Sequence, residues 1–393
     1  MNLWHKKNSR IDHYKNIILT VGFMVVLILP TIQHFYTIIP ASESNENRSL
    51  AEMPKLDLNY LDPFPSQYDS YFNDNFSLRS QILAWHASVN FQYFNKSPLP
   101  EKVFFGKDDW LYLMKDEFAE YRRTNQFSTE NIEKLVNEMV YRKKYLEDKN
   151  ISLLFVIAPI KYNIYPEYLP TGLNYFNKPS RSHEIRDALI QNGINTLDLT
   201  DLLIQEKSDE LLYYKTDNHW NKLGGFYASK AIINEIRHEY PEVPELELEN
   251  YSINKKTIDG KNLAQMIGLR ENFEDISYTL DPDTSKAVQA TKANYPVPQW
   301  FSYPKEYELV YTTSNDSLPN MLFIRDSFGN AVIPYLSECF DRSVYIFDRW
   351  NYTSNEHIIE NENPDIVVYM VLEGFWDGFL RGVDISQNKR KSK

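Results

Sequence analysis

Three segments of the chain carry residue types that could move an acyl group. In MLFIRDSFGN (321–330) an apolar run leads straight into Asp-Ser-Phe-Gly, and a helix is expected from about Phe328. A serine at such a strand-to-helix turn is presented at the carboxyl end of a sheet. Its hydroxyl is exposed there, and free N–H groups lie beside it for an oxyanion. The same Asp-Ser is also a common helix N-cap. In TDNHWN (216–221) Asp217 and His219 stand two apart, just ahead of another predicted helix. A histidine base needs an acceptor that fixes its tautomer and stabilises the imidazolium, and an aspartate in the same loop can reach it. Taken alone, the pattern also fits a surface turn. In LFVIAPIKYNIYPEYLP (154–170) a buried strand ends in Ala-Pro-Ile-Lys, which places Lys161 at the carboxyl rim, where open α/β sheets build their sites. A solvated lysine on a structural turn is the competing reading.

The surrounding pattern supplies the elements that would position these residues. VFFGKDDWLYL (103–113) reads as a β-hairpin, two apolar runs around a Gly-Lys-Asp-Asp turn. A helix is predicted over about 129–148, capped by Ser128 or Thr129. SLLFVIAP (152–159) is a continuous apolar run, the signature of a strand covered on both faces. Further along, a helix at about 182–192 ends at Gly193. A strand follows at 195–199, a helix at about 222–238, and strands at 321–326, 343–347 and 365–372. Strands alternating with helices predict an α/β fold with a mainly parallel sheet. Residues 241–320 are polar, contain Pro241, Pro244, Pro282, Pro296 and Pro298, and break this rhythm. They read as an insertion, either a lid or a substrate-binding lobe.

The amino-terminal part reads differently. Residues 17–39 form an apolar stretch of spanning length, weakened at its outer end by Pro30, Gln33 and His34. Lys6, Lys7, Arg10 and Lys15 stand before it against Asp12, which predicts a cytoplasmic tail (1–16), a single-pass anchor (17–39) and an external body. A cleavable signal peptide is the alternative, with Ser42-Glu43-Ser44 as the nearest small-x-small site. Residues 40–100 read as a juxtamembrane connector with local helices around 67–89, packing on a main domain that spans 101–393. The formal net charge is −12, and about −15 once the basic tail is set aside. Such a body argues against nucleic acid and weakly favours a neutral or amino-sugar polymer over a uronic one. The lone Cys339 excludes an intrachain disulfide and a zinc-type cysteine cluster, and the 8 His form no HExxH pair. Neither a metal nor a cofactor is expected. Aromatics at 15% would suit a glycan groove, or reflect composition alone.

Several short motifs then fall in one order: Glu46-Asn47-Arg48, Asp74-Asn75-Phe76 with Arg79, Phe105-Gly106-Lys107-Asp108 with Trp110-Leu111, Pro159-x-Lys161 with Tyr165-Pro166, Thr216-Asp217-Asn218-His219-Trp220, and Asp326-Ser327-Phe328. In these the chain resembles the SGNH-hydrolase-like proteins of alginate O-acetylation, the AlgX/AlgJ type, and their DHHW relatives. The resemblance implies a three-layer SGNH-hydrolase-like fold. It makes Ser327 the nucleophile, His219 the general base and Asp217 its orienting carboxylate, with the Ser327 N–H in the oxyanion hole. Lys161, Trp220, Arg325 and Asn330 are further substrate or oxyanion candidates. Asn218 stands where the DHHW relatives carry their first His, and Arg325 where SGNH enzymes often carry Gly. The implied activity is ping-pong transfer of an acetyl group, through acetyl-serine, to a hydroxyl of a cell-surface or exported polysaccharide. A multi-spanning membrane O-acyltransferase would be the acetyl supplier. A carbohydrate O-acetylesterase using the same triad, and a non-catalytic glycan-binding assembly protein, are the alternatives.

Overall fold

The computed structural model describes residues 2–36, 38–39, 50–299, 301–348 and 352–392, with residues 2–12 and 34 described by their backbone alone. The Glu46-Asn47-Arg48 motif and the Ser42-Glu43-Ser44 site lie outside the described residues. The chain divides into two compact units, Met1–Pro98 with Gln265–Leu269, and Leu99–Ala264 with Arg270–Lys393.

In the first unit a helix runs over Asn2–Tyr36 with Pro30 inside it. Its stretch His13–Gln33, 21 residues of mean hydropathy 2.0, is long and apolar enough to cross a membrane. The Gln33 amide closes the end of this helix: it accepts from Ile39 N–H at 2.9 Å and donates to Ile39 C=O. Two more helices follow, Pro63–Asn75 and Arg79–Phe94. The first is tied back to the incoming chain, because Asp74 Oδ2 accepts from Ala51 N–H and Asn75 Nδ2 donates to Ala51 C=O, both at 2.9 Å.

The second unit opens with the expected hairpin, β1 (Val103–Phe105) and β2 (Leu111–Leu113), paired antiparallel with Phe105 opposite Leu111. Asp108 and Asp109 take positive φ in its turn, a conformation short polar side chains tolerate. Then come β3 (Ser152–Ala158), β4 (Thr196–Asp198), an antiparallel ribbon of β5 (Tyr251–Asp259) and β6 (Glu274–Pro282), and β7 (Val288–Gln289) with β8 (Glu308–Thr312). β9 (Met321–Arg325), β10 (Arg342–Phe347) and β11 (Ile366–Leu372) complete the set. The central sheet runs β4-β3-β11-β9-β10-β8-β7. The strands from β4 to β10 are parallel neighbours, and β8 and β7 close one edge antiparallel.

Both faces of this sheet are covered. Leu154, Val156, Phe323, Val368 and Met370 pack with Phe226, Ile232 and Ile233 of the helix Lys222–Ile236. The alternate residues Phe155, Ile157, Leu322, Ile324, Val367 and Tyr369 pack with the helices Thr129–Glu147, Arg181–Gln191 and Trp376–Lys391. The alternation of neighbours along each strand gives the helix–sheet–helix layering that the sequence predicts. Ser128 caps the first of those helices by accepting Asn131 N–H.

Two expectations change. No long helix starts at Phe328. A 3₁₀ turn covers Ser327–Ala331, and a single short helix follows over Ile333–Leu336. Pro334 has no N–H to give the carbonyl four residues back, so a regular helix through it is broken. The segment 241–320 is not wholly outside the sheet, since β7 and β8 extend it. The run Glu308–Thr312 alternates buried and partly buried residues, which suits an edge strand.

The helix Lys222–Ile236 sits so close to the 327–331 turn that a Cβ at Gly225 would fall 2.6 Å from the Ala331 carbonyl oxygen. Gly225→Ala must push the two apart. We expect a loss of about 1–3 kcal/mol in urea unfolding, as for overpacked cores.

Candidate active site

The loop Leu212–Asn221 doubles back on itself. Asn221 N–H donates to Leu212 C=O at 2.8 Å, Tyr214 N–H to His219 C=O at 3.3 Å, and Tyr213 pairs with Trp220 as an isolated bridge. Asn221 then caps the helix Lys222–Ile236 by accepting Leu223 and Gly224 N–H. The tip of this loop carries Asp217 and His219. Across from it, β9 delivers Ser327 at its carboxyl end.

The three side chains form one chain of hydrogen bonds. His219 Nδ1 lies 2.8 Å from Asp217 Oδ1, and His219 Nε2 lies 2.8 Å from Ser327 Oγ. With the ring proton on Nδ1 donated to Asp217, Nε2 is the acceptor for the serine hydroxyl. His219 and Ser327 are partly exposed, whereas Asp217 is buried. Burial works to lower the His219 pKa, but the Asp217 carboxylate, helped by Glu117 and Asp326, outweighs it and holds the imidazole above its ordinary value. Burial likewise raises the Asp217 pKa, but His219 and Lys261 bring it below the usual carboxylate range. The pair therefore favours aspartate beside imidazolium, the charge state that follows proton removal from a serine.

The turn that carries Ser327 is held by Asp326. Its Oδ1 accepts Phe328 N–H at 2.8 Å, the N-cap role, while Oδ2 accepts Tyr352 O–H at 2.5 Å and Leu372 N–H at 3.0 Å. One carboxylate thus joins the ends of β9 and β11 to the turn. The Ser327 N–H opens the turn, where N–H groups have no partner inside it, and it is free to donate to an oxyanion.

The four further candidates brace the Asp217–His219 loop or the Ser327 turn. Lys161 is fully buried, and its Nζ donates to the carbonyls of Tyr214 (3.1 Å), Lys215 (3.0 Å) and Asp217 (2.6 Å). The solvated-lysine reading gives way to this. The three N–H groups of an ammonium match three carbonyls, so the lysine shapes the loop. Burial pushes its pKa down to about 7, against the pull of Asp275, Asp217 and Glu117. Trp220 is buried too. Its Nε1–H donates to Phe328 C=O at 2.9 Å and its ring meets Phe328 edge-on, which fastens the histidine loop to the serine turn. Arg325 lies under the turn with its guanidinium 4.3 Å from the Phe347 ring centre. It donates to Asp326 C=O, Glu306 C=O and Asn330 Oδ1. The missing glycine reappears four residues later: a Cβ at Gly329 would fall 2.4 Å from Arg325 Cδ. Asn330 is exposed, and its Oδ1 braces Arg325 at 2.7 Å.

Residues that sequence reasoning did not single out complete the support. Asp275 on β6 accepts from Lys215 N–H, Thr216 N–H and Thr216 Oγ1–H, and Lys261 N–H donates to Thr216 Oγ1. The polar segment read as a lid or a substrate-binding lobe therefore buttresses the loop of Asp217 and His219 from the side. On the other flank Asn218 Nδ2 donates to Glu117 Oε1 at 2.7 Å. No local pattern marks Asp275 or Glu117, because their partners lie 59 and 101 residues away. Among the described residues no group of His, Cys, Asp or Glu is arranged to hold a metal ion.

Two outcomes follow from this geometry. The base must be neutral to accept the serine proton, and its raised pKa keeps it protonated to higher pH. The rate of serine acylation should therefore rise with pH through a midpoint above the ordinary histidine value of 6.5, as read from single-turnover acylation across pH 5–9. Trp220→Phe leaves the Phe328 carbonyl without its donor. It should cost about 1–3 kcal/mol of stability in urea unfolding and slow acylation by roughly tenfold, as small misplacements do in such sites.

Comparison with known proteins bears on the family and the fold. A family model described as SGNH hydrolase-like domain, acetyltransferase AlgX, matches residues 103–299, half of the chain. That stretch holds Lys161, Asp217, His219 and Trp220, while Ser327 lies beyond it. A protein of Pseudomonas syringae pv. tomato named Probable alginate O-acetylase AlgJ is 25% identical over 178 residues, 44% of this chain and 42% of the relative. This chain thus spans less than half the length of that relative. Among solved structures, PatB1 of Bacillus cereus superposes with a TM-score of 0.53 at 18% identity, covering 71% of this chain and 98% of PatB1. A DHHW family protein of Eubacterium siraeum gives 0.50 at 17% identity, covering 71% and 93%. These two share the fold. On the family match, the chain belongs to the SGNH hydrolase-like, AlgX-type acetyltransferase family.

Proposed function

We propose that the protein is an extracytoplasmic O-acetyltransferase that passes an acetyl group through Ser327 to a hydroxyl of a polysaccharide. The observation that carries this reading is the unbroken chain Asp217–His219–Ser327, with both links at 2.8 Å.

In the first half-reaction His219 Nε2 takes the Ser327 proton as Oγ attacks the acetyl carbonyl carbon. The Ser327 N–H faces the developing oxyanion. The tetrahedral intermediate collapses, His219 gives its proton to the departing oxygen, and acetyl-serine remains. In the second half an acceptor hydroxyl loses its proton to His219 and attacks the ester carbonyl. Collapse returns the proton to Ser327 and leaves the acetyl on the acceptor.

The family match favours a sugar hydroxyl over water as the resolving group. The name of the Pseudomonas relatives speaks of alginate, and a polysaccharide acceptor is carried to this chain on that ground. The apolar helix segment His13–Gln33, with Lys6, Lys7, Arg10 and Lys15 clustered near its start, supports a single-pass anchor with the amino terminus in the cytoplasm and the catalytic unit outside. Acetyl-CoA is not expected there. A multi-spanning O-acyltransferase in the same membrane would supply the acetyl group, and anchoring would raise its effective concentration.

The test uses the full chain in detergent micelles with an activated acetyl ester. Intact mass should show one acetyl adduct that is absent in Ser327→Ala and slowed at least 1,000-fold in His219→Ala, on the order seen when triad members are removed. An adduct that persists in Ser327→Ala, or a parent enzyme that forms none, contradicts the proposal. The second outcome would promote the reading of a non-catalytic glycan-binding protein.

A further inference from the structure

Glu117 is a buried carboxylate beside the triad that the mechanism above does not use. It lies on the short helix Asp116–Arg122 and is 1% exposed. The turn after β11 presses against it: a Cβ added at Gly374 would stand 3.1 Å from Glu117 Cγ and 3.5 Å from Ile160 Cγ2. The carboxyl group therefore sits over the carboxyl ends of β3 and β11, the end of the sheet that carries the site. Its Oε1 accepts from Asn218 Nδ2 at 2.7 Å, and its Oε2 is buried with no hydrogen-bond donor among the described residues.

Asn218 is the residue between the two triad members of the loop. A carboxylate that holds Asn218 fixes the peptide planes on both sides of it, and so the relative placement of Asp217 and His219. Lys161 does the same from below through the Asp217 carbonyl. The two contacts differ in consequence. The lysine donates to backbone, whereas Glu117 holds the Asn218 side chain, and where it is ionised its charge favours the protonated form of His219.

We propose that Glu117 is a positioning residue of the acyl-transfer site, which orients the Asp217–His219 loop through Asn218 and stabilises the protonated form of His219 through its charge. This rests on the acyl-transfer reading.

A carboxylate with an unsatisfied, water-excluded oxygen is costly to bury. Retaining one beside the base, where an apolar residue would fill the same space, is explained by its effect on the histidine. Burial pushes the Glu117 carboxyl up to about 7, with Asn218, His219 and Lys161 holding it down and Asp217 adding to the rise. The other titratable groups facing it are Tyr162 and Tyr213, whose own ionisation its charge opposes.

Three variants of the full chain separate position from charge. Glu117→Gln keeps an amide oxygen for Asn218 and removes the charge. Glu117→Ala removes both, and Asn218→Ala removes the link and leaves the charge. Single-turnover acylation by an activated acetyl ester is followed across pH 5–9, with thermal unfolding alongside. Glu117→Gln should retain the plateau rate within about threefold and move the acid limb to lower pH, because His219 loses a neighbouring negative charge. Glu117→Ala and Asn218→Ala should lower the plateau rate about 10- to 100-fold, with KM changed less than twofold, as expected for lost orientation. A purely structural role would lower the melting temperature and leave the acid limb in place. If the alanine variants do not fold, the limb of Glu117→Gln alone decides: an unmoved limb overturns the proposal. A parent enzyme that forms no adduct overturns the acyl-transfer reading instead, so the two failures are distinguishable.

Discussion

The buried Lys161 side chain is the central support of the loop that carries Asp217 and His219. Residues 212–221 pair backbone to backbone only at the neck, through Leu212 with Asn221 and Tyr214 with His219. Their tip has no ladder of its own. Fixing the backbone of one residue costs about 1–2 kcal/mol, so the tip would not stay in place without outside partners. Lys161 supplies three donors from below, Asp275 accepts three hydrogens from the side, and Leu111 N–H of β2 donates to the Lys215 carbonyl that Lys161 also uses. Hydrogen bonds to charged groups are worth about 1.5–3 kcal/mol each, enough to offset the ordering of a short tip. The lysine is itself enclosed by aromatic faces, with Trp110 at 5.2 Å and Tyr112 at 5.0 Å. That enclosure explains the hairpin that opens the catalytic unit. Its Gly-Lys-Asp-Asp turn brings Trp110 and Tyr112 over the lysine, and Trp110 stacks on Tyr168 at 4.4 Å.

The second half of the site is built on the opposite plan. The serine turn is short and regular at its start, and one carboxylate, Asp326, caps it and ties it to β11. Trp220 then joins the two halves by a hydrogen bond to Phe328. The distance between His219 and Ser327 is held by packing around them, including the His219 ring 4.7 Å from that of Phe328. Such fixing is what enzymes need where an error of 1 Å is costly.

The sheet was legible in the sequence because its strands are covered on both faces and read as unbroken apolar runs, as in SLLFVIA and IVVYMVL. The triad residues were legible because a serine after an apolar strand and an Asp-x-His before a helix each imply a local geometry. Their assembly was carried by resemblance. The roles of Lys161, Trp220 and Arg325 were not legible. Chain position places Lys161 at the rim of the sheet, and only the folded loop turns its ammonium inward to three carbonyls. Arg325 breaks the usual glycine preference, and the compensation at Gly329 lies four residues on, where no local rule points. The function of 241–320 was hidden for the same reason. Its polar, proline-rich composition suggests an insertion, while it braces the site through the Asp275 carboxylate, the Lys261 N–H on Thr216 and the Glu306 carbonyl under Arg325.

On the proposed mechanism His219 would deprotonate water or a sugar hydroxyl alike, so the Asp217–His219–Ser327 chain alone does not distinguish the two. The measurement that bears most directly on transfer is a chase. Acetyl-enzyme formed with a ¹³C-labelled acetyl ester is freed of excess donor and mixed with polysaccharide fragments, neutral and uronic in separate arms. The loss of adduct and the fate of the label are then followed together. The account predicts that one fragment speeds the loss of adduct and that label appears on a sugar hydroxyl at the same rate. Loss at an unchanged rate in every arm, with all label released as acetate, would contradict it and identify the protein as an esterase.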